Sequence, residues 1–238
     1  MRIRTLKIIL QNIRYIFQSQ IRVCRCCQKY SLIVSLSPGA ERKLCLRCRA
    51  NLRYELLAQS IRNVEGGLKD KTIIELDPKS PLRFLLKQSD TYIRTYYSPD
   101  DLPGTVRYDG ARCENITKLT FPDNSVNLII SSDVLEHVPD FSAAMKESAR
   151  VLVKGGIHLF TVPTSGKTIK RAELVDGIVQ HLLPPEHHSD PLNPDGILAF
   201  WNFGFDLPEL FEVDAGNIFK VIGPEGKDGR VVWGMTKL

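Results

Sequence analysis

The sequence predicts an α/β chain, a parallel sheet packed with helices, preceded by a small module held by cysteines. Three observations predict it. Strand-like and helix-like segments alternate from residue 70 onward. Four cysteines form two Cys-x-x-Cys pairs near the amino terminus. The charge divides between the two parts: residues 1–63 hold thirteen Lys and Arg against Glu41 and Glu55, a net +11, which leaves −6 for the rest of a +5 chain.

In chain order, the first element is the run Met1 to Arg22. It is apolar at Ile3, Leu6, Ile9, Leu10, Ile13 and Phe17, and Arg2, Arg4, Lys7 and Arg14 interrupt it. That spacing predicts a basic amphipathic helix over 1–22, expected to pack on the rest of the protein. Binding to a membrane surface or a partner is the alternative. The charges deny it the continuous apolar centre of a secretory signal. No stretch of the chain reaches the roughly 18 to 20 apolar residues of a membrane span, and 43% hydrophobic with 25% charged residues is the composition of a water-soluble protein.

Residues 23–63 form the second element. Cys24-x-x-Cys27 and Cys45-x-x-Cys48 are separated by seventeen residues. Two such turns bring four thiolates to one ion at about 2.3 Å each, the arrangement of a zinc ribbon. Four sulfur ligands close the coordination sphere, so such a zinc stabilises the fold and activates no water. Cys26 is adjacent to Cys27 and could replace Cys24 or Cys27 as a ligand. Disulfides are disfavoured by the clustering, and a cytoplasmic setting is expected. Cys113 stands alone and is expected to be a small buried residue. Leu52, Leu56, Leu57 and Ile61 share one helical face, so a helix should link the module to the main domain, with Gly66-Gly67 marking the boundary.

The third element, 68–238, holds the sheet. Strands are expected at Thr72–Leu76, Tyr92–Tyr97, Val126–Ser132 and Ile157–Val162, with helices starting at Leu82 and spanning about Phe141–Leu152. Ligands of such sheets sit outside the carboxyl ends of the strands.

The stretch Leu119 to Asp140, with its Ser131-Ser-Asp-Val-Leu-Glu-His-Val138 core, resembles the central segment of class I S-adenosylmethionine-dependent methyltransferases of the type 11 kind. Arg150-Val-Leu-Val-Lys-Gly-Gly156 resembles the turn found after that segment in the family. The resemblance covers about residues 70 to 163. A zinc-ribbon-like segment in front is similar to a subset of bacterial members. It implies a Rossmann-like seven-stranded methyltransferase sheet with an antiparallel last strand, the tail Phe219–Gly223 and Arg230–Met235 supplying the final hairpin.

The resemblance also implies a site. Glu75 takes the position of the acid that holds the methionine part of S-adenosylmethionine. Asn115, with Glu114 beside it, takes that of the acid contacting the adenine amino group. Ser132, Asp133 and Leu135 lie beside the expected sulfonium, and Glu136 and His137 begin the next helix. His137 is a candidate for catalysis, although fixing the local loop is the favoured role. Two features depart from the family. Asp77, Lys79 and Pro81 stand where it has glycines, and no clear acid ends the second strand for the ribose, Tyr96, Tyr97, Asp100 and Asp101 being nearby. Asn127 replaces an Asp, and Val153-Lys154 a Lys-Pro.

Candidates for a base lie in the insertion after the fifth strand: His181, Glu186, His187, His188 and Asp190. Glu186, His187, His188 and Asp190 also form a weak second metal pattern. Trp201, Phe203 and Phe205 could wall an acceptor pocket, or be core. The function expected is methyl transfer to a small-molecule or saccharide acceptor. Alternatives are a catalytically decayed methyltransferase fold acting as a binding protein, and an RNA methyltransferase that grips phosphate with the +11 module.

Overall fold

The computed structural model describes residues 14–35, 43–188, 196–210, 217–222 and 231–238, the backbone alone for 217–222. The chain divides into two compact units, one made of Met1–Lys69 and Lys79–Gln88, the other of Asp70–Pro78 and Ser89–Leu238.

In the first unit, β1 (Gln20–Val23), β2 (Tyr30–Ser35) and β3 (Lys43–Cys45) form an antiparallel sheet in that order. The helix expected over 1–22 falls outside the described residues for 1–13. At its carboxyl end the backbone is already extended from Gln20, because Gln20 to Val23 pair with Tyr30 to Ile33. Helix α1 (Leu52–Arg62) starts at Asn51, whose side chain accepts a hydrogen bond from the Tyr54 amide, a cap worth about 1 kcal/mol. Leu56, Leu57 and Ile61 are buried on its inner face, as the spacing predicts. Glu55 is buried on the same helix, and the Arg22 guanidinium grips both its oxygens, at 2.8 and 2.9 Å. That two-point pairing is what allows a carboxylate to be buried there. Helix α2 (Arg83–Leu86) is a single turn.

The second unit is built on a seven-stranded sheet. Its strands are β4 (Thr72–Glu75), β5 (Thr91–Tyr96), β6 (Arg112–Cys113), β7 (Val126–Ser132), β8 (Leu152–Thr161), β15 (Asn217–Ile222) and β16 (Val232–Lys237). Their order is β15-β16-β8-β7-β4-β5-β6. The pairs from β6 across to β8 are parallel, and β16 runs antiparallel to both β8 and β15. Ile73, Ile74, Leu128, Ile129 and Ile130 are buried, as expected of central parallel strands with both faces covered. Val153-Lys154 are already part of β8. Gly156 is required on that strand, because a Cβ there would lie 2.9 Å from the Val153 carbonyl oxygen and 3.2 Å from that of Asn127. The Asn127 side chain accepts a hydrogen bond from the Thr72 amide at 2.8 Å, tying the start of β4 to β7.

Helix α3 (Phe141–Val151) joins β7 to β8 and is capped by Asp140, which accepts from the Ala143 amide. It packs Phe141, Ala144, Met145 and Val151 into a core shared with Ile74, Ile129, Phe160 and Trp233. Among the described residues of this unit it is the only α-helix, so helices cover less of the sheet than the alternation predicts. The segment after β8 forms three two-stranded ladders. These pair β9 (Ile169–Lys170) with β14 (Trp201–Asn202), β10 (Ala172–Val175) with β11 (Ile178–His181), and β12 (His187–His188) with β13 (Ile197–Leu198). No helix among the described residues is long and apolar enough to cross a membrane.

Candidate functional site

Two sites emerge, one in each unit. In the first, the sulfur atoms of Cys24, Cys27, Cys45 and Cys48 all lie within 4.8 Å of one another. The two Cys-x-x-Cys turns repeat one hydrogen-bond pattern. The Cys24 and Cys45 amides donate to the carbonyls of Lys29 and Ala50, at 3.0 and 2.9 Å. Cys24 and Cys48 are 3.7 Å apart, and the contact together with burial holds the Cys24 thiol far above its ordinary value. Burial also acts on Cys45, yet the Ser31 hydroxyl and the Cys48 and Arg47 amides bring it down to about 7. The Cys26 thiol meets the Pro81 carbonyl at 3.6 Å and also interacts with Cys48, but it is not one of the four mutually close sulfurs. All six cysteines are free thiols, and Cys113 is buried as expected. The cluster is the donor set a tetrahedral zinc takes.

In the second unit the adjacent strands β4 and β7 end side by side. Glu75 pairs in register with Ile130, two residues before Ser132. Glu75 is buried, and the Tyr92 hydroxyl donates to its carboxylate. Burial and that carboxylate push the Tyr92 phenol well up. Asp133 has a left-handed backbone (φ 51°). Its amide donates to the Thr161 carbonyl at 3.0 Å, and its carboxylate accepts from the Thr161 hydroxyl at 2.9 Å, so β8 fixes the end of β7. Backbone strain of this kind persists only where the surroundings over-determine it. Ser132 accepts from the same hydroxyl at 3.3 Å.

The other residues expected around a cofactor are more dispersed. Leu135 is fully buried in the core. Glu114 is buried with both oxygens engaged, by the Thr120 amide and hydroxyl and by Arg112 at 2.7 Å. The Asn115 side-chain Oδ1 accepts from the Thr117 amide and hydroxyl at 3.0 and 2.9 Å, so it already closes a local turn. Tyr97 and Asp100 are exposed beyond the end of β5, and Asp77 is half-buried after β4. Tyr96 is buried, and its hydroxyl donates to Asp101 at 2.8 Å.

Glu136 and His137 do not begin the helix; they end a 3-10 turn, Leu135–His137, four residues before α3. The His137 Nδ1 faces the Leu198 carbonyl at 2.8 Å and so carries its proton there. His188 comes from β12, its ring 5.0 Å from that of His137. Glu136, 3.7 Å from His188, raises it above the usual histidine value, with Glu186 adding to the effect and burial opposing it. Glu186 is half-exposed, 3.4 Å from His188 and 3.2 Å from Arg171. His187 and His181 are exposed, apart from this group, and Asp190 lies outside the described residues. Phe203 is core, stacked with Trp201 and tilted against Phe141, whereas Phe205 is exposed. Sequence reasoning missed the convergence of Glu136 with His137 and His188; the adjacent Glu-His pair was its only local signal.

Residues 85–160 match the family model described as a methyltransferase domain. No curated protein matches the chain in sequence. The YcgJ protein of Bacillus subtilis is similar in structure, with a TM-score of 0.51 at 11% identity over 78% of this chain and 99% of that one. An S-adenosylmethionine-dependent methyltransferase of Mesorhizobium loti gives 0.48 at 12% identity, over 76% and 97% of the two chains. Another from Methanosarcina mazei gives 0.42 at 16%, over 74% and 94%. With its strand order and its antiparallel β16 between β8 and β15, the second unit has the mostly parallel α/β fold of class I methyltransferases.

Proposed function

We propose that the chain is an S-adenosylmethionine-dependent methyltransferase acting on a small-molecule or saccharide acceptor, with a structural zinc ion in its amino-terminal module. The observation that carries this reading is the shared carboxyl edge of the adjacent strands β4 and β7, where β4 ends in a buried Glu75 and β7 is followed by a left-handed Asp133. Ligands of open α/β sheets bind at such edges. When bound, the cofactor supplies an electrophilic methyl group; the protein supplies position. Glu75 would hold the cofactor's ammonium group, and Ser132 and Asp133 would border its sulfur. His137, Glu186, His187 and His188 are the candidates for accepting the acceptor's proton, with His137 and His188 placed together. The −6 balance beyond residue 63 favours a neutral or cationic acceptor over nucleic acid.

Zinc on Cys24, Cys27, Cys45 and Cys48 would have four sulfur ligands, so its part is to hold the fold. Thiols kept free for a metal suit a reducing, cytoplasmic setting.

Calorimetry with S-adenosylhomocysteine on the zinc-loaded full chain tests the reading. A Kd below roughly 1 mM, the upper end of ordinary enzyme affinities, is expected; no heat at millimolar ligand overturns it. A second reading, a binding protein that has lost turnover, has one observation behind it. Asp77, Lys79 and Pro81 place side chains where the family's loop leaves room for the cofactor. Cofactor binding without S-adenosylhomocysteine formation across a panel of hydroxylated acceptors would select that reading.

A further inference from the structure

The 3-10 turn after β7 and the β12–β13 ladder bring three metal-ligand side chains together. Glu136 Oε1 lies 3.8 Å from His137 Nε2 and 3.7 Å from His188 Nδ1. Those separations are too long for hydrogen bonds. They are close to the spacing of two donors bound to one ion at about 2.1 Å, roughly 3 to 3.5 Å apart.

Three further facts point to a ligand. Glu136 is 1% exposed, and neither of its oxygens has a hydrogen-bond partner among the described residues. A buried carboxylate that makes no hydrogen bond, with only two imidazoles at ion-pair distance, is costly and demands an explanation. Both imidazoles are also held by their far nitrogens, His137 by the Leu198 carbonyl at 2.8 Å and His188 by Glu186 at 3.4 Å, which is itself paired with Arg171. With only the far nitrogen protonated, as a bound cation in place of the near proton would require, each ring would turn a lone pair towards Glu136, the arrangement typical of metal-binding histidines. Finally, Gly196 lets the ladder close, since a Cβ there would stand 2.5 Å from the His188 carbonyl oxygen.

We propose that Glu136, His137 and His188 bind a divalent transition cation, as a two-histidine, one-carboxylate site distinct from the cysteine cluster. Two imidazoles and one carboxylate suit Mn2+, Fe2+ or Zn2+ and leave coordination positions open. Side-chain exposures of 13% for His137 and 28% for His188 give an ion a route in. Open positions would accept oxygen atoms of a hydroxylated acceptor; that use rests on the methyl-transfer reading, whereas binding of the ion does not.

The test titrates the zinc-loaded full chain with Mn2+, which the sulfur cluster takes poorly, and counts the free ion by its solution EPR signal. One equivalent should bind. The Kd should rise at least about tenfold in Glu136→Gln and in His188→Ala, and stay unchanged in the exposed control Glu65→Gln. Pulsed EPR of the bound ion should show two imidazole nitrogens, one of which His188→Ala removes. Thermal melts and zinc content check that each variant is folded; if Glu136→Gln is not, the more exposed His188→Ala decides. Absence of Mn2+ binding up to millimolar ion, or equal binding in wild type and folded variants, overturns the assignment whatever the outcome with S-adenosylhomocysteine.

Discussion

Gln28 and Arg49 stand in equivalent places on two different turns. Each comes directly after the second cysteine of its pair, with a left-handed backbone, φ 55° and 64°. Each donates its amide to the carbonyl of the first cysteine, at 2.8 and 2.7 Å. The two halves of the cluster are therefore built alike, and each stores the cost of a left-handed residue that has a Cβ. Arg49 is exposed, so Arg49→Gly should stabilise the zinc-loaded protein by about 0.5 to 1 kcal/mol. Arg49→Val should destabilise it by about 1 to 2 kcal/mol, since a β-branched residue resists this conformation more. Denaturant unfolding at fixed zinc concentration measures both.

Metal content separates Cys26 from its neighbours. Because Cys26 lies outside the four mutually close sulfurs, although its thiol reaches Cys48 as well as the Pro81 carbonyl, Cys26→Ala should retain one zinc per chain at the cysteine cluster. Cys27→Ala should lose it, and chelation should lower the melting temperature of wild type and Cys26→Ala alike. Elemental analysis of the purified variants is the readout. Loss of zinc in Cys26→Ala would mean that the adjacent sulfurs had exchanged roles.

His158 gives the second unit a pH dependence. It is fully buried on β8, its Nε2 2.9 Å from the Ser131 hydroxyl, and burial lowers it to about 3. The unfolded chain takes up the proton near pH 6.5 while the folded one refuses it. Stability is therefore complete above pH 6.5 and falls as pH drops from there towards 3, by up to about 1.4 kcal/mol per unit. Unfolding midpoints across that range should show the slope, and His158→Gln should flatten it.

Tyr92 and Glu75 can be uncoupled by one atom. Tyr92→Phe removes the hydroxyl that donates to the buried carboxylate. A cost of about 1 to 3 kcal/mol in stability is expected. Under the methyl-transfer reading the same variant should bind S-adenosylhomocysteine at least as tightly as wild type, since the Tyr92 hydroxyl no longer competes for the Glu75 carboxylate. Calorimetry on the folded variant decides; weaker binding would make Tyr92 part of the cofactor contact.

Much of the fold was legible because its strongest signals are local. β7 is a run of apolar residues bounded by turn residues, α3 has a helical apolar face with a capping Asp140, and the cysteine spacing names its geometry outright. Arg150, part of the turn resembling the family's, clamps Glu147, Asp123 and the carbonyls of Leu119 and Phe121. Its place in the motif was readable, its partners were not. β6 escapes notice because two residues carry no periodicity. The ladders after β8 are equally hidden, since β11 is exposed along its whole length and lacks alternation. The site was legible only as single positions. Glu75 and Asp133 come from strand ends, whereas Glu136 and His188 lie fifty-two residues apart in sequence and meet only because β12 folds back. Glu114 and Asn115 show a related difficulty: their polar atoms are used by Thr120, Arg112 and Thr117, neighbours whose demands composition does not reveal.

The way the chain threads through its two units sets an order of events during synthesis. Residues 70–78, which contain β4, belong to the second unit, and the first unit is completed only by 79–88. A ribosome that has released the cysteine cluster must therefore also deliver β4 before the amino-terminal unit holds all of its parts. No single truncation point separates one unit from the other, and a fragment ending at Gly67 would lack Leu82, Leu85 and Leu86, all buried in the intact protein. Grafting the cysteine module onto another enzyme would require transplanting two separate pieces of sequence.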